Sequence, residues 1–278
     1  MNSELKTADF EFIRDLVRAR SAIVLEDNKS YLVEARLELL TKKISIDSLS
    51  ELIKSVRIEP NGTLAQQVIN AMTTNETSFF RDIHPFELLK KSIIPKLIQA
   101  KQKEKSIKIW CGAASSGQEP YTIAMLIKEH FAKELDGWKI NIVATDLSTD
   151  ILRKAKSGLY TQLEVNRGLP ATFLIKYFQK KGLEWEIKEE VRSLIDFKSM
   201  NLIGSWLPMS GIDIVFLRNV LIYFDMETKS KIINKISKIL QPEGCLFLGA
   251  TETMLNLKVP FQRITSESSS YYSLQKGE

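Results

Sequence analysis

The residues most suited to chemistry form a run of small side chains, W-C-G-A-A-S-S-G-Q-E-P, at positions 110–120. Small residues let the backbone turn tightly and approach a ligand closely. Only Gly112 and Gly117 are present, at a spacing that differs from the three-glycine dinucleotide fingerprint. Glu119 adds a negative charge where a pyrophosphate would lie. The loop therefore disfavours NAD and favours a ligand that carries a cationic amine and a sulfonium.

Further polar residues follow two later strand-like segments. Asp146 follows the first of these segments, at 140–144, a position from which a carboxylate accepts hydrogen bonds from ribose hydroxyls. A helix N-cap for the segment from Ser148 onward is the alternative role of Asp146. Asn219 and Tyr223 follow the later strand at 212–217. Because ligands of open α/β sheets bind outside the carboxyl ends of the strands, these residues lie at the expected edge.

The elements that must position these residues show two patterns. Residues 8–75 carry helical stripes of apolar residues, and a second helical block covers 85–103. From Ile107 onward, apolar strands alternate with amphipathic helices, which is typical of a parallel sheet covered on both faces. The predicted strands are 107–110, 140–144, 212–217 and 245–248, and the predicted helices between and after them are 121–134, 150–156 and 228–240.

Two segments depart from this alternation. Residues 159–198 interrupt it, and the alternating stretch at 183–187 predicts a small antiparallel insertion. Residues 261–264 and 271–274 predict a closing hairpin. We therefore expect a helical N-terminal domain at 1–74 and a doubly wound α/β domain at 75–278 that contains the insertion.

Composition narrows the function classes. The net charge of +5 could favour nucleic acid, but the excess of Lys and Arg begins near Arg81, where the basic residues are interleaved with apolar ones as on a solvated helix face. Two histidines without an acidic or cysteine cluster make a metal site improbable. The two cysteines, the polar N-terminus and the lack of a long apolar stretch predict a cytoplasmic protein with neither a signal peptide nor a membrane span.

Four motifs in order make a specific resemblance. Residues 75–81 read N-E-T-S-F-F-R, 117–121 read G-Q-E-P-Y, 144–148 read A-T-D-L-S, and 218–224 read R-N-V-L-I-Y-F. This set resembles the signature of the chemotaxis receptor methyltransferases, the CheR family. Ser116 and Gln118 depart from the family's S-T-G-E-E-P-Y segment without affecting the expected fold or cofactor.

The resemblance implies a Rossmann-like class I methyltransferase domain that uses S-adenosylmethionine, yields S-adenosylhomocysteine and needs no metal. It implies methyl esterification of glutamate side chains on the cytoplasmic helical domain of chemotaxis receptors. The implied catalytic residues are Arg81 and Tyr223. The implied cofactor-binding residues are Asn75, Thr77, Arg81, Glu119, Asp146, Asn201, Leu202, Asn219 and Val220.

One helical stretch has a pattern suited to an acidic partner. At about 100° per residue, Lys29, Arg36 and Lys43 fall in one stripe, with apolar residues on both sides. Basic side chains that snorkel from a packed helix are the alternative; the family resemblance favours a docking surface for a receptor helix. The loop at 179–183 is short, which favours an enzyme that does not depend on a receptor C-terminal peptide. We expect a monomer, recruited to membrane-bound receptor arrays.

Three other function classes remain open from the sequence. A nucleic-acid methyltransferase is favoured only by the basic charge, since residues 218–221 do not form the N-P-P-Y type of turn and neither Cys111 nor Cys245 follows a proline. A non-catalytic protein that binds the cofactor is a second class. An NAD-dependent oxidoreductase is the third, and the loop at 110–120 argues against it.

Overall fold

The computed structural model describes residues 5–266 and 269–275. These residues form two compact units. The smaller unit contains the described residues up to Thr74 together with Tyr223–Thr228, and the larger contains Asn75–Ile222 and the described residues from Lys229 onward. Within this part of the chain, no helix combines the length and the apolar character that a bilayer crossing demands.

The smaller unit is helical because its sequence places apolar residues three and four positions apart, which gives each helix one face to bury. Three helix ends of this unit are capped. Ala22 and Ser45 each follow the last residue of a helix and adopt left-handed φ values of 57°. Ser48 precedes the first residue of another helix, and its side chain accepts a hydrogen bond from the Glu51 N–H. The helices are α1 (Thr7–Ser21), α2 (Ser30–Ile44), α3 (Leu49–Ile58) and α4 (Thr63–Met72), with a 3-10 turn at Asp27–Lys29.

The first helical block of the larger unit is interrupted by a π turn at Leu89–Ile93. Pro95 explains the interruption, because proline lacks an N–H and its ring would clash with the carbonyl of Lys91, four residues earlier. The helices of this unit are α5 (His84–Leu88), α6 (Ile94–Ala100), α7 (Gln118–His130), α8 (Thr149–Ser157), α9 (Gln162–Asn166), α10 (Ala171–Tyr177), α11 (Glu189–Arg192) and α12 (Met226–Ile239), of which the first turn clusters with the smaller unit.

A seven-stranded, mostly parallel sheet forms the core of the larger unit. Its strands are β1 (Ser106–Gly112), β2 (Lys139–Asp146), β6 (Ile195–Ser199), β7 (Ile212–Leu217), β8 (Leu240–Phe247), β9 (Phe261–Ser266) and β10 (Ser269–Leu274). The order is β6-β2-β1-β7-β8-β10-β9; β10 pairs antiparallel with β8 and β9, and the other pairs are parallel. The order reverses between β1 and β7, where open α/β sheets bind ligands.

The antiparallel insertion forms its own three-stranded sheet, and its end differs from the prediction. The strands are β3 (Leu159–Tyr160), β4 (Phe178–Lys181) and β5 (Glu184–Ile187), in the order β3-β5-β4. The last residues of the predicted range 159–198 instead form β6, which pairs parallel with β2. Since β6 is short and only partly buried, its sequence lacks the apolar run that identifies the inner strands.

The predicted elements of the large sheet are found with shifted ends. The strand at 212–217 has the predicted bounds, whereas β8 begins at Leu240, five residues before the predicted Cys245. The helix after β1 begins at Gln118, three residues before the predicted start. Both shifts arise because turn-like residues, such as the Q-P-E-G of 241–244, continue a regular element.

Candidate functional site

The loop after β1 owes its shape to alternating left-handed residues. Ala113, Ser115 and Gly117 have φ values of 54°, 50° and 91°. The Ser115 N–H donates to Oδ2 of Asp146 at 2.8 Å, and the Ala114 N–H donates to the Thr145 carbonyl at 2.9 Å. These bonds fasten the loop to the carboxyl end of β2.

Asp146 is buried at the end of β2 and accepts two backbone hydrogen bonds. Its Oδ2 accepts from the Ser115 N–H, and its Oδ1 accepts from the Ser148 N–H at 2.9 Å. Burial raises the pKa of Asp146, and the backbone N–H groups around it partly offset the rise. The N-cap of α8 is Ser148, whose hydroxyl accepts from the Ile151 N–H, so Asp146 is not the cap itself. Its remaining acceptor capacity suits hydroxyl donors of a ligand.

Glu119 lies in the first turn of α7 and forms an ion pair with Arg218. The distance from Arg218 Nη1 to Glu119 Oε2 is 2.7 Å, and the two side chains are 2% and 14% exposed. Burial raises the pKa of Glu119, and Arg218 opposes the rise. The pair joins the start of α7 to the carboxyl end of β7.

Residues 75–82 run beside this loop in the larger unit. The Asn75 carbonyl accepts from the Ser115 hydroxyl at 2.9 Å. Arg81 donates from Nη1 to the Glu76 carbonyl at 2.9 Å, and its own carbonyl accepts from Arg218 Nη2 at 2.9 Å. Two of the predicted cofactor residues are therefore tied to the other parts of the site. Thr77 is half-buried in the same segment.

The segment after β6 contains Asn201 and Leu202. The Asn201 Oδ1 accepts from the Ile203 N–H at 3.2 Å, and the Leu202 carbonyl accepts from the Trp206 indole N–H at 2.9 Å. The Trp206 ring lies 4.9 Å from that of Trp110 at the end of β1. The segment thus packs along the carboxyl edge of the sheet.

The loop after β7 is held by a residue that the sequence interpretation missed, Glu252. Its Oε2 accepts from the N–H groups of Asn219 and Gly249, both at 2.7 Å, and its Oε1 accepts from those of Val220 at 2.9 Å and Ile222 at 3.3 Å. Asn219 has a left-handed φ of 58°. Glu252 follows the end of β8, so the edge rule that selected Asp146 could have selected it as well.

Arg218 is the second residue that the interpretation missed. It belongs to the R-N-V motif, yet no role was assigned to it. Its guanidinium contacts both Glu119 and the segment that contains Arg81, so it joins three of the predicted parts of the site. No local pattern indicates this role, because the partners of Arg218 lie 99 or more residues away in sequence.

Tyr223 and the three basic residues belong to the smaller unit. The Tyr223 carbonyl accepts from the Val24 N–H at 3.0 Å. Lys29 lies in the 3-10 turn before α2 and pairs with Glu26 at 3.0 Å, so it is not part of the predicted helical stripe. Arg36 donates to the Met72 carbonyl at 2.7 Å and to the Thr74 hydroxyl at 3.0 Å. It therefore satisfies the C-terminal end of α4.

Lys43 lies in the last turn of α2, and it is exposed. The buried side of this helix is formed by Val33, Leu37, Leu40 and Thr41. Leu39, in contrast, is 67% exposed.

The donor set at the sheet edge fits S-adenosylmethionine. Asp146 and Glu119 carry carboxylate oxygens, which are acceptors of the kind that hydroxyl and ammonium donors need. A Cβ added at Gly117 would lie 3.1 Å from Ala155 Cβ and from a Tyr121 ring carbon, so only a bare backbone fits there. Within the described residues, no three His, Cys, Asp or Glu side chains converge as a metal site requires.

Comparison with known proteins identifies the family. The family described as CheR methyltransferase, SAM binding domain, matches residues 75–270, and the CheR methyltransferase all-alpha domain matches residues 8–73. The chain is 43% identical over 259 residues to chemotaxis protein methyltransferase Cher2 of Pseudomonas putida, covering 92% of this chain and 94% of the relative. It is 44% identical over 260 residues to chemotaxis protein methyltransferase 1 of Pseudomonas aeruginosa, with the same coverage.

A more distant relative agrees. The chemotaxis protein methyltransferase of Escherichia coli is 32% identical over 278 residues, covering 98% of this chain and 92% of the relative. The predicted family, the α/β fold with its helical domain and small antiparallel sheet, and the S-adenosylmethionine cofactor are confirmed. The chain belongs to the CheR family of S-adenosylmethionine-dependent chemotaxis protein methyltransferases.

Proposed function

We propose that this enzyme methylates glutamate side chains on the cytoplasmic helical domain of chemoreceptors, forming glutamyl methyl esters and S-adenosylhomocysteine. The observation that carries the proposal is the sequence identity of 43% to 44%, over more than nine-tenths of each chain, to chemotaxis protein methyltransferases. The two carboxylates of Asp146 and Glu119 at the sheet edge support the part of the proposal that concerns the cofactor.

The reaction requires little proton transfer by the protein. A glutamate carboxylate is ionised at neutral pH, since its reference pKa is about 4.3, so it is a competent nucleophile without a general base. The cofactor, when bound, supplies an electrophilic methyl group on a sulfonium. The protein aligns the carboxylate for direct SN2 transfer and removes water from it. Arg81 orients that carboxylate through a charge-assisted hydrogen bond. The family resemblance implies Tyr223 as a second catalytic residue.

The cofactor site is proposed at the carboxyl edge of the sheet. Asp146 accepts from the ribose hydroxyls, and Glu119 lies beside the methionine moiety. Other residues of the motif segments 75–81 and 218–224, together with Asn201 and Leu202, complete the pocket. The proposed set is Asn75, Thr77, Arg81, Glu119, Asp146, Asn201, Leu202, Asn219 and Val220.

The receptor is proposed to dock on the exposed face of α2 and the turn before it. The basic residues Lys29, Arg36 and Lys43 attract an acidic helix. Leu39 lies beside Lys43 around the helix and is 67% exposed, and Tyr31, further round the helix, is 69% exposed. Residues eight apart lie about 80° apart around a helix, so these two form part of one apolar stripe. An amphipathic helix with acidic flanks complements such a face.

The remaining features of the proposal concern the enzyme's setting. The helical domain 1–74 binds the receptor, and the domain 75–278 performs the transfer. The enzyme acts as a cytoplasmic monomer that is recruited to membrane-bound receptors. Because the turn between β4 and β5 is short, Lys181 to Glu184, the small sheet does not require a receptor C-terminal peptide.

The test is methyl transfer from labelled S-adenosylmethionine to the cytoplasmic fragment of a chemoreceptor from the same organism. Label that mild alkali releases as methanol identifies carboxyl methyl esters. Alkali-stable label, or label on added nucleic acid, would contradict the proposed substrate class. An Arg81→Ala enzyme should bind the fragment and turn over slowly; full turnover would remove Arg81 from the catalytic set.

A further inference from the structure

The buried Arg218 guanidinium lies at the centre of a hydrogen-bond network in the larger unit. Its Nη1 donates to Glu119 Oε2 at 2.7 Å, and its Nη2 donates to the Arg81 carbonyl at 2.9 Å and to Asp82 Oδ2 at 3.0 Å. The guanidinium carbon lies 5.6 Å from the centre of the Phe86 ring. Its Nε has no hydrogen-bond partner among the described residues.

We propose that Arg218 is a positioning residue of the cofactor site, which fixes the Glu119 carboxylate toward the amino group of the cofactor's methionine moiety. The inference rests on the proposed place of Glu119 beside that moiety. Arg218 acts through Glu119 and does not itself contact the reacting atoms. The fork-shaped guanidinium makes this possible, because its two terminal nitrogens bind Glu119 and the residue 81–82 segment at the same time.

The electrostatic surroundings give Arg218 a second effect on Glu119. Burial raises the pKa of Glu119, and the positive charges of Arg218 and Arg81 oppose that rise, while Glu252 adds to it. The buried Cys111 thiol also faces Glu119, and its pKa is raised by burial and by that carboxylate. Without Arg218, Glu119 would keep its proton to a higher pH. A neutral carboxyl attracts an ammonium group far less than a carboxylate does.

Two ligands separate this role from a general effect on folding. S-adenosylhomocysteine contains the amino-acid moiety, and 5′-methylthioadenosine lacks it but keeps the adenosine. We expect Arg218→Gln to weaken S-adenosylhomocysteine binding by about tenfold or more near pH 7, while methylthioadenosine binding changes by less than about twofold. Calorimetric titration of the full-length variants measures both dissociation constants.

The pH profile is the second readout. Because Arg218 opposes the rise in the pKa of Glu119, affinity for S-adenosylhomocysteine should rise with pH more steeply in Arg218→Gln than in the wild type, as Glu119 loses its proton. The rise should vanish in the double variant Glu119→Gln/Arg218→Gln. Arg218→Lys should restore the charge without the two-sided bonding, and so recover only part of the affinity.

Equal weakening of both ligands by Arg218→Gln would mean that the residue only supports the fold, and the inference would be overturned. Unchanged binding of S-adenosylhomocysteine would overturn it as well. Both outcomes leave the proposed function intact, since the wild-type enzyme would still transfer methyl groups to the receptor fragment. A wild-type enzyme that fails to bind S-adenosylhomocysteine would instead contradict the cofactor site itself.

Discussion

The charged side chains that matter in the two units of this enzyme differ in burial and in the number of their partners. At the carboxyl edge of the large sheet, Asp146, Arg218 and Glu252 each have two or more partners and lie in or beside the buried core. On and before α2, Lys29 forms a surface pair with Glu26, and Lys43 is exposed. A buried charge with several partners has a fixed position, whereas an exposed charge adapts to what approaches it.

This difference matches the needs of the two ligands. A small cofactor requires donors and acceptors that are already in place, because reorganisation at binding would reduce affinity. A large acidic surface needs attraction over several ångströms, and exposed charges supply it. Substitutions at the sheet edge should therefore change stability and cofactor affinity together. Substitutions on the α2 face should change receptor affinity alone.

The largest effect is expected from Asp146→Ala. The change leaves the Ser115 and Ser148 N–H groups without their acceptor, and each unsatisfied buried donor costs about 1–3 kcal/mol. Since burial also disfavours the Asp146 charge, we expect the free energy of unfolding to fall by about 2–3 kcal/mol. Loss of two charge-assisted bonds to ribose should weaken cofactor binding by about a hundredfold. Urea unfolding and calorimetry measure the two quantities.

Asp196→Ala is the matched control for that experiment. Asp196 lies in the neighbouring strand β6 and pairs on the surface with Lys198 at 2.7 Å. Surface pairs contribute about 0–1 kcal/mol, so stability and cofactor affinity should stay close to wild type. Equal losses in both variants would remove the special role of Asp146.

Glu252→Gln should have the next largest effect. The amide nitrogen cannot accept hydrogen bonds, so two of the four backbone N–H groups lose their acceptor. We expect a loss of about 2 kcal/mol in the free energy of unfolding and a roughly tenfold weaker cofactor affinity, because Asn219 and Val220 lose their support. The exposed Glu104→Gln is the control. A Glu252→Gln enzyme with wild-type stability would show that the four bonds are dispensable.

Arg36 is an exception to the contrast between the two units. Although it was predicted as a docking residue, it binds backbone carbonyls at the end of α4. Arg36→Ala should lower the free energy of unfolding by about 1–2 kcal/mol, and Lys29→Ala should lower it by less than about 0.5 kcal/mol. Thermal unfolding of both variants decides the matter. If the two variants are equally stable, Arg36 is as available for docking as its neighbours.

The smallest effect concerns the two cysteines. Burial raises the pKa of Cys245 to about 12 and that of Cys111 well above its usual range. Both thiols should therefore stay protonated and unreactive toward a disulfide reagent at about pH 8 in the folded protein. Reaction should begin only on unfolding. Rapid labelling of either thiol in the native enzyme would contradict the buried positions of β1 and β8.

The inner strands and the motif residues could be predicted because their signals are local. A buried parallel strand is a continuous apolar run, and the small-residue loop, Asp146 and Asn219 each follow such a run directly. The edge rule for open α/β sheets then brings them together without knowledge of any side-chain contact.

The features that were not predicted depend on contacts between residues far apart in sequence, which no local pattern indicates. The strand β6 is half-exposed, so it resembled part of the insertion. Apart from Gly249, the partners of Glu252 lie 30 or more residues away in sequence, and so do those of Arg218. Arg36 reaches the end of another helix, and Lys29 precedes the helix to which periodicity had assigned it.

The most direct test of the central claim is steady-state methylation of a receptor fragment by the double variant Lys29→Glu/Lys43→Glu, with both substrates varied. The claim predicts a KM for the receptor that rises by about tenfold or more, with the KM for S-adenosylmethionine within about twofold of wild type. An unchanged KM for the receptor would contradict it. A parallel rise in both constants would also contradict the separation of the two binding surfaces.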